Sequence, residues 1–345
     1  MVDECQDFKE PFFELCSVVT ARQVFLAGDI FQTIFEENVT KDYSVDYFLT
    51  RCYRTDPKTL MFAHSLGLGI FEKHPMRWLN KDDWEACGYG YTSTTDGKKI
   101  ILSRDPIHRF VDVPDDYECV KLVTYRSESF YQQLCEIIRE IKQTNPTCAP
   151  NDVCIILLDT DQRIYGMANM IETFIDDEFG WKVNKAYETK RSIDDTLLVS
   201  NRNNVKGLEY PFVICVSEGL QNDYIYRNAL YTMLSRSFIQ TIFMVSVDKS
   251  EFPTEIKSGY KQIMSEGKMT IHMPSSSEIA SIETRFQKAK RRKPFENELK
   301  EIMRDLQIGM DQYDIIYSLA MRKEWDKKEE YEVKDLLNKL ASVLK

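Results

Sequence analysis

The chain has 345 residues, of which 43% are apolar and 12% aromatic, and this is enough to build a substantial core over about two domains. Its formal net charge of −10 argues against a general electrostatic grip on nucleic acid, although a local cleft on an acidic protein can still be basic. No apolar run approaches the roughly 20 residues that a membrane span needs, so we expect no membrane partner.

The first 35 residues predict a β-α-β arrangement. The stretch "VFLAGD" (Val24 to Asp29) is typical of a short buried strand that ends at a Gly-Asp turn, and an apolar-rich helix is predicted over 12–19. The opening "MVDECQDF" (Met1 to Phe8) carries paired carboxylates of the kind that follow a buried strand. Such a pair can hold Mg²⁺ with one carboxylate and activate water with the other.

The middle of the chain alternates between strand and helix patterns. The fully apolar "DVCIILLD" (Asp152 to Asp159) is typical of a strand inside a parallel sheet, and Ser127 is the predicted N-cap of the helix that precedes it. Further strands are predicted at 119–125, 196–200, 212–217 and 241–247, with helices at 56–71, 163–174 and 224–235. The pattern predicts an α/β fold with a doubly wound parallel sheet.

Two regions depart from this alternation. Residues 71–118, with Trp78 and Trp84, predict an insertion, and the charged region after about residue 275 predicts helices without strands. Base stacking is one role for Trp78, Trp84 and Trp181, but core packing is the more common one. His64 falls on the apolar side of its helix, which favours a buried core histidine.

Four further motifs follow the opening one in a familiar order. They are "LAGDIFQTIF" (Leu26 to Phe35), "RCYRTDPKTL" (Arg51 to Leu60), "VKGLEYPFVICV" (Val205 to Val216) and "LYTMLSRS" (Leu230 to Ser237). Their order and spacing over roughly residues 1 to 250 resemble motifs II to VI of the superfamily 1 helicases of the UvrD/Rep type. The resemblance implies a RecA-like fold of the P-loop NTPase type, with a C-terminal fragment of domain 1A at 1–50, domain 2A at 51–275 with its insertion at about 71–118, and a helical region at 276–345.

The resemblance also implies ATP and Mg²⁺ as cofactors and gives each motif residue a role. Asp3 would hold Mg²⁺ through water, and Glu4 would act as the general base. Gln32 would sense the γ-phosphate and position the attacking water. Arg54 and Arg236 would reach across from the second domain as arginine fingers, since Arg suits bidentate phosphate contact better than Lys.

Three more residues belong to the implied nucleotide-binding set. Asp29 lies just beyond the predicted strand, Glu209 matches the motif V acid that contacts the ribose, and Gly207 allows close backbone approach. Simpler explanations stay open for several motif residues. Gln32 can be an ordinary polar loop residue, and each of the two arginines can form a surface ion pair. Glu209 can form a solvated ion pair with Lys206, three residues earlier.

Two segments are predicted to contact nucleic acid. Where relatives carry Thr-x-His before Lys-Gly-Leu-Glu, this chain has Asn201, Arg202 and Asn203, and the amides of Asn201 and Asn203 can still bond phosphate. The cationic run "QKAKRRKPF" (Gln287 to Phe295) is a second candidate, with a solvated helix face or a subunit contact as the alternative. Its phosphate-binding residues would be Lys290, Arg291 and Arg292.

The chain contains no Gly-x-x-x-x-Gly-Lys-Ser/Thr loop, which binds the β- and γ-phosphates in relatives and precedes motif II. We therefore expect the chain to begin in the last quarter of domain 1A and to be inactive alone. The resemblance predicts the C-terminal motor portion of an ATP-dependent DNA helicase or translocase, with single-stranded or partly duplex DNA and the missing N-terminal segment, or a partner subunit, as partners. The alternative is a non-hydrolysing helicase-like subunit of a nuclease or defence complex.

The nine cysteines are scattered and never spaced as CxxC, so they indicate neither a disulfide framework nor a zinc site. This favours a reducing compartment, the cytoplasm.

Overall fold

The computed structural model describes the chain except for residues 6, 7, 9, 29–45, 48, 50, 51, 106–113, 115, 116, 161, 162, 189–192, 206, 292–294, 307, 324, 326–329 and 345. The chain forms two compact units, Met1–Gln287 and Lys288–Lys345. Within the described residues, no helix is both long enough and apolar enough to cross a membrane.

The N-terminal segment contains one helix and one parallel bridge. The predicted helix is confirmed as α1 (Glu10–Val19), and Val2 pairs with Leu26 in parallel on either side of it. The N–H of Val2 donates to the carbonyl of Phe25 at 2.7 Å, and the N–H of Ala27 donates to the carbonyl of Val2 at 2.8 Å. The predicted strand at Val24 is therefore reduced to a single bridge among the described residues.

A six-stranded parallel sheet forms the centre of the first unit. Its strands are β3 (Val120–Tyr125), β4 (Val153–Leu157), β5 (Lys182–Lys185), β6 (Thr196–Asn201), β7 (Tyr210–Ser217) and β8 (Ser237–Ser246). They lie in the order β3-β8-β7-β4-β6-β5, and every neighbouring pair is parallel. All of the predicted strands of this sheet are present, and β5 is an addition to them.

Helices cover both faces of this sheet. The face that carries Ile155, Ile214 and Ile242 packs against α4 (Phe130–Thr144) and α5 (Arg163–Phe179). The opposite face packs against α2 (Pro57–Leu68), α6 (Tyr224–Leu234) and α7 (Thr254–Glu266). The predicted α/β fold with a doubly wound parallel sheet is thus confirmed.

One predicted helix start is wrong. No side chain caps α4, which begins at Phe130 after a short 3₁₀ turn over Ser127–Ser129. The hydroxyl and the N–H of Ser127 instead donate to the carboxylate of Asp248, just beyond β8. Ser127 therefore joins two neighbouring strand ends rather than starting the helix.

The insertion forms a second, smaller sheet. After α3 (Lys81–Ala86), the strands β1 (Tyr89–Ser93) and β2 (Lys99–Arg104) pair antiparallel, and β2 also pairs with β9 (Lys268–His272). Trp84 is completely buried beneath this sheet, while Trp78 and Trp181 are partly buried and pack against the two core clusters of the first unit. These three tryptophans therefore take part in core packing.

The last part of the chain is helical, as predicted. It consists of α8 (Ser276–Arg291), α9 (Phe295–Asp305), α10 (Tyr313–Arg322) and α11 (Glu330–Leu344). The unit Lys288–Lys345 has a core of its own, which includes Leu299, Ile316, Trp325 and Leu337.

A buried arginine ties α6 to the segment that follows α2. Arg227 is 1% exposed, and its guanidinium contacts both carboxylate oxygens of Glu72, at 2.6 and 3.0 Å. It also donates to the carbonyls of Leu66 and Gln221 and to the side-chain oxygen of Asn222. All five donors of the guanidinium group point at acceptors, so this contact fixes the packing of the two helices.

His64 is buried in the core, as its sequence position indicated. Its Nδ1 lies 2.7 Å from the hydroxyl of Tyr89, and its ring stacks on Tyr231. Burial, with a smaller contribution from the positive charge of Arg104, lowers the pKa of His64 to about 3. The ring is therefore neutral in the folded protein across the physiological pH range.

We expect this buried ring to make the fold sensitive to acid. Because the folded-state pKa of about 3 lies below the ordinary value of 6.5, the unfolded chain binds the extra proton as the pH falls through 6.5. The stabilisation is complete above pH 6.5 and declines by up to about 1.4 kcal/mol for each pH unit below it. Urea unfolding of the unmodified chain and of His64→Gln, from neutral pH to about pH 4.5, measures the difference. Parallel losses in the two chains would contradict the prediction.

Candidate nucleotide and nucleic-acid sites

Three of the predicted nucleotide-side residues lie at the amino edge of the large sheet, where its strands begin. Glu209 directly precedes β7 and Arg236 directly precedes β8, and these strands start level with each other, at Tyr210 and Ser237. The N–H of Tyr210 donates to the carbonyl of Arg236 at 3.1 Å. The register of two neighbouring strands thus brings motif V and motif VI together.

The start of α2 brings the third residue, Arg54, to the same edge. Asp56 caps this helix by accepting from the N–H of Lys58 at 2.8 Å, and Pro57 occupies its first turn. Asp56 also accepts from the thiol of Cys119, which precedes β3, and burial raises the pKa of that thiol. The segment that carries Arg54 is therefore attached to the beginning of a neighbouring strand.

The two arginines differ in exposure. Arg236 is only 1% exposed, whereas Arg54 is half-buried. The Nε of Arg54 is buried and has no hydrogen-bond partner among the described residues. A buried N–H donor without an acceptor is costly, and an anion at this edge would satisfy it. Arg236 needs a movement of the groups that cover it before it can contact a ligand.

Two of the predicted nucleic-acid residues, Asn201 and Asn203, lie at the opposite, carboxyl edge. Asn201 ends β6 level with Leu157 of β4, which is itself level with Val216 near the end of β7. Val216 is roughly 20 Å along β7 from Tyr210, at about 3.3 Å per residue. The structure therefore separates Asn201 and its neighbour Asn203 from the amino edge.

The carboxyl-edge turn is closed by Asn201 itself. Its side-chain oxygen accepts from the N–H of Asn203 at 3.0 Å and from the N–H of Asn204 at 3.2 Å. This is an Asx turn, so the amide nitrogen of Asn201 is the group left to face a ligand. Asn203 is exposed.

Arg202 lies within this turn and was not among the predicted site residues. Burial lowers the pKa of its guanidinium, and the negative charges of Asp223 and Asp159 partly oppose that effect. Its Nε is buried and has no hydrogen-bond partner in the described part of the chain. The sequence signal was its place between the two asparagines that stand where relatives carry Thr-x-His.

Glycine is required in the connection between the two edges. Gly207 has a φ of 84°, in the left-handed region that side chains disfavour. This explains a glycine at this position without any ligand, and it also leaves the backbone uncovered beside Glu209.

The opening carboxylates follow the bridge between Val2 and Leu26. Asp3 is exposed and Glu4 half-buried, and the N–H of Glu4 donates to Asp3 Oδ1 at 2.9 Å. Glu4 has a φ of 52°, which is uncommon for a residue other than glycine and costs about 1 kcal/mol or more. Residues in such conformations are concentrated at functional sites.

The described residues contain no group of three or more His, Cys, Asp or Glu side chains placed to hold a metal ion. Asp3 alone does not make a Mg²⁺ site. The predicted site positions Asp29, Gln32 and Arg292 lie outside the described residues, as do the side chains of Lys290 and Arg291.

Comparison with protein families gives one match, at the strands that carry these edges. Residues 196–244 match the family model described as the UvrD-like helicase C-terminal domain. The resemblance to the UvrD/Rep type is confirmed. The UvrD-like segment contains Asn201, Gly207, Glu209 and Arg236, whereas Arg54 and the opening carboxylates lie outside it. The match supports a helicase-like function for this chain.

Solved structures and curated proteins were also compared with the chain. The C-terminal domain of a possible DNA helicase from Lactobacillus plantarum WCFS1 is 17% identical over 41% of this chain and 80% of that one, with a TM-score of 0.31. Domain 2 of the DEAD-box helicase Mss116p, bound to an RNA duplex, is 13% identical over 56% of this chain and 78% of that one, with a TM-score of 0.27. At such TM-scores these similarities carry no argument. No curated protein matches the chain.

Proposed function

We propose that this chain is the C-terminal motor portion of an ATP-dependent DNA helicase or translocase of the UvrD/Rep type. The observation that carries the proposal is the convergence of Arg54, Glu209 and Arg236 at the amino edge of one RecA-like sheet. An open α/β sheet ordinarily binds its own ligand at the carboxyl edge. Arginines at the other edge suit a nucleotide that is held by a different domain.

The chemistry of the amino edge fits a polyphosphate. Cleavage of the β-γ bond spreads negative charge over the transferring group, and preorganised guanidinium groups stabilise that charge. Arg54 offers a buried Nε donor that no described residue accepts, and Glu209 offers a carboxylate to a ribose hydroxyl. ATP would bring Mg²⁺ with it. Since the described residues make no metal site, the role proposed for this edge is charge stabilisation and positioning alone.

The carboxyl edge is the proposed contact for a DNA strand. Asn203 and the amide nitrogen of Asn201 are placed to donate to phosphate oxygens, the commonest kind of contact between protein and nucleic acid. Both edges belong to one rigid sheet. Domain movement driven at the nucleotide edge therefore moves the strand-binding edge with it, and this links hydrolysis to travel along DNA.

The exposed surface of the N-terminal segment suggests the partner. Val18 and Val19 on α1 are 83% and 72% exposed, and Phe25 is 61% exposed. Parallel strands occur almost only where both of their faces are covered. A polypeptide that completes the sheet around Val2 and Leu26, in the same molecule or in a partner subunit, would cover this surface and supply a phosphate-binding loop.

One observation favours the alternative, a helicase-like subunit that does not hydrolyse ATP. Arg236 is 1% exposed, as expected for an arginine with a structural role. In that case the fold would serve as a scaffold for a nuclease or defence complex, and the amino edge would bind no nucleotide.

Steady-state phosphate release with saturating single-stranded DNA tests the proposal. We expect this chain alone to hydrolyse ATP no faster than a buffer control, because its sequence contains no Gly-x-x-x-x-Gly-Lys-Ser/Thr motif for a loop that cradles the β-phosphate. An extended protein that includes such a loop should be active. If the extended protein is also inert, the scaffold function replaces the proposed one. If the short chain is as fast as the extended protein, the expected dependence on the missing loop is wrong.

A further inference from the structure

A buried hydroxyl group joins the segment of Arg54 to the segment of Arg236. Thr55 Oγ1 donates to the carbonyl oxygen of Ser235 at 3.0 Å, between positions 180 residues apart in the sequence. Thr55 directly follows Arg54, and Ser235 directly precedes Arg236. Both bonded residues are 2% exposed, so water does not compete for this bond.

The acceptor side of this bond is fixed by other contacts. The hydroxyl of Ser235 donates to the carbonyl of Thr232 at 3.0 Å, within α6. The carbonyl of Arg236 accepts from Tyr210 of β7, and the carbonyl of Leu234 accepts from the hydroxyl of Thr241 in β8. The turn between α6 and β8 is therefore held from three directions.

The donor of this bond, Thr55, belongs to a segment that is attached to other elements. The segment of Arg54 continues into α2, which Arg227 holds against α6, and the cap of α2, Asp56, accepts from the thiol of Cys119 before β3. Through Thr55 the segment reaches the fixed turn beside Arg236. A change at Thr55 would thus alter the spacing between the two arginines without removing either of them.

We propose that Thr55 is a positioning residue, whose hydroxyl sets the spacing of Arg54 and Arg236 so that both guanidinium groups meet one nucleoside triphosphate. This inference rests on the proposed function, since it assumes that both arginines bind the same polyphosphate. The physical reason is that a misplacement of about 1 Å in a group that binds a reacting phosphate can cost about a hundredfold in rate. Two side chains on separate segments need a common anchor if they are to meet one phosphate.

Arginine side-chain NMR tests this assignment in the extended protein that includes the phosphate-binding loop, with this chain either unmodified or carrying the substitutions below. The Nε–Hε signals of Arg54 and Arg236 are assigned from the variants Arg54→Lys and Arg236→Lys and followed during titration with ATP and Mg²⁺. Thr55→Val keeps the shape of the side chain and removes the hydroxyl, while Thr55→Ser keeps the hydroxyl. Thr59→Val is the matched control, because Thr59 is equally buried on α2 and its hydroxyl donates to Cys119 instead.

We expect both signals of the unmodified chain to move with one dissociation constant. In Thr55→Val the apparent affinity should fall by about tenfold, the loss of one hydrogen bond between a misplaced arginine and the phosphate, and the two signals should no longer respond together. Thr55→Ser should restore the affinity to within about twofold, and Thr59→Val should leave it within that range. In an Arg54→Ala background, Thr55→Val should cause no further loss, because the arginine that it positions is absent.

Each other outcome overturns the inference. If Thr55→Val binds ATP like the unmodified chain, Thr55 does not position the arginines, and the proposed function stands. If Thr55→Val and Thr59→Val weaken binding equally, the effect is a general loss of packing, and the positioning role is wrong. If neither signal of the unmodified chain responds to ATP, the proposed function fails and this inference fails with it.

Discussion

In the complete motor, Arg236→Ala should lower kcat for ATP hydrolysis by about a thousandfold or more, the usual effect of removing an arginine finger. Arg54→Ala should have an effect of similar size, since both side chains neutralise charge on the same transferring group. The lysine variants should recover only a small part of the rate, because an ammonium group cannot reproduce the bidentate fork. Phosphate release under saturating DNA measures each variant.

The control for these variants is an arginine with no proposed role. Arg139 on α4 bonds the exposed Glu178 at 2.8 Å, and Arg139→Ala should leave kcat within about twofold of the unmodified protein. Because Arg236 is buried, urea unfolding of each variant must accompany the kinetics. If Arg236→Ala unfolds like the unmodified protein but changes kcat by less than about tenfold, its role as a finger is wrong.

Glu72→Ala should lower the free energy of unfolding by about 3–5 kcal/mol, the second large effect that we expect. It would leave the guanidinium of Arg227 buried at 1% exposure without its carboxylate. Arg227→Ala should cost a similar amount, because Glu72 and the carbonyls of Leu66 and Gln221 would lose their donors. Urea denaturation midpoints and slopes give both values.

The exposed pair between Arg139 and Glu178 serves as the comparison for this buried one. Glu178→Ala should cost no more than about 1 kcal/mol, since both side chains of that pair are nearly half exposed. A double-mutant cycle on Arg227 and Glu72 should give a large coupling energy, as expected for residues in contact. A small loss in both single variants would show that water satisfies the remaining partner and that the pair does not fix α2 against α6.

The large sheet could be predicted because its strands are marked by apolar runs in the local sequence. β4 is buried at every position, and only a strand covered on both faces produces such a run. β5 was missed because "KVNK" has one buried residue among its four and no apolar alternation. Its place in the sheet comes from its parallel pairing with β6, from Lys182 with Thr196 to Lys185 with Val199.

The candidate site was predictable as a set of residues but not as an arrangement. The motifs indicated Arg54, Glu209 and Arg236 from their local sequence. That these residues share an edge depends on the pairing of Tyr210 with Ser237 and on the bond between Thr55 and Ser235, which join distant parts of the chain. The burial of Arg236 is likewise a property of the packed turn between α6 and β8, and the helical spacing of "LYTMLSRS" carries no sign of it.

The pairing of β2 with β9 has a consequence for how the chain folds during synthesis. β2 leaves the ribosome before β3, and its second partner strand at Lys268–His272 follows only after the six strands of the large sheet have been made. Until then only one edge of β2 is paired, with β1. The nascent chain should therefore hold an unfinished small sheet while the strands of the large sheet are made and depend on chaperones during that interval. Codon changes that slow elongation just before residue 268 should lengthen the interval before β9 is made and increase aggregation. Codon changes that slow elongation after residue 272 should not increase aggregation.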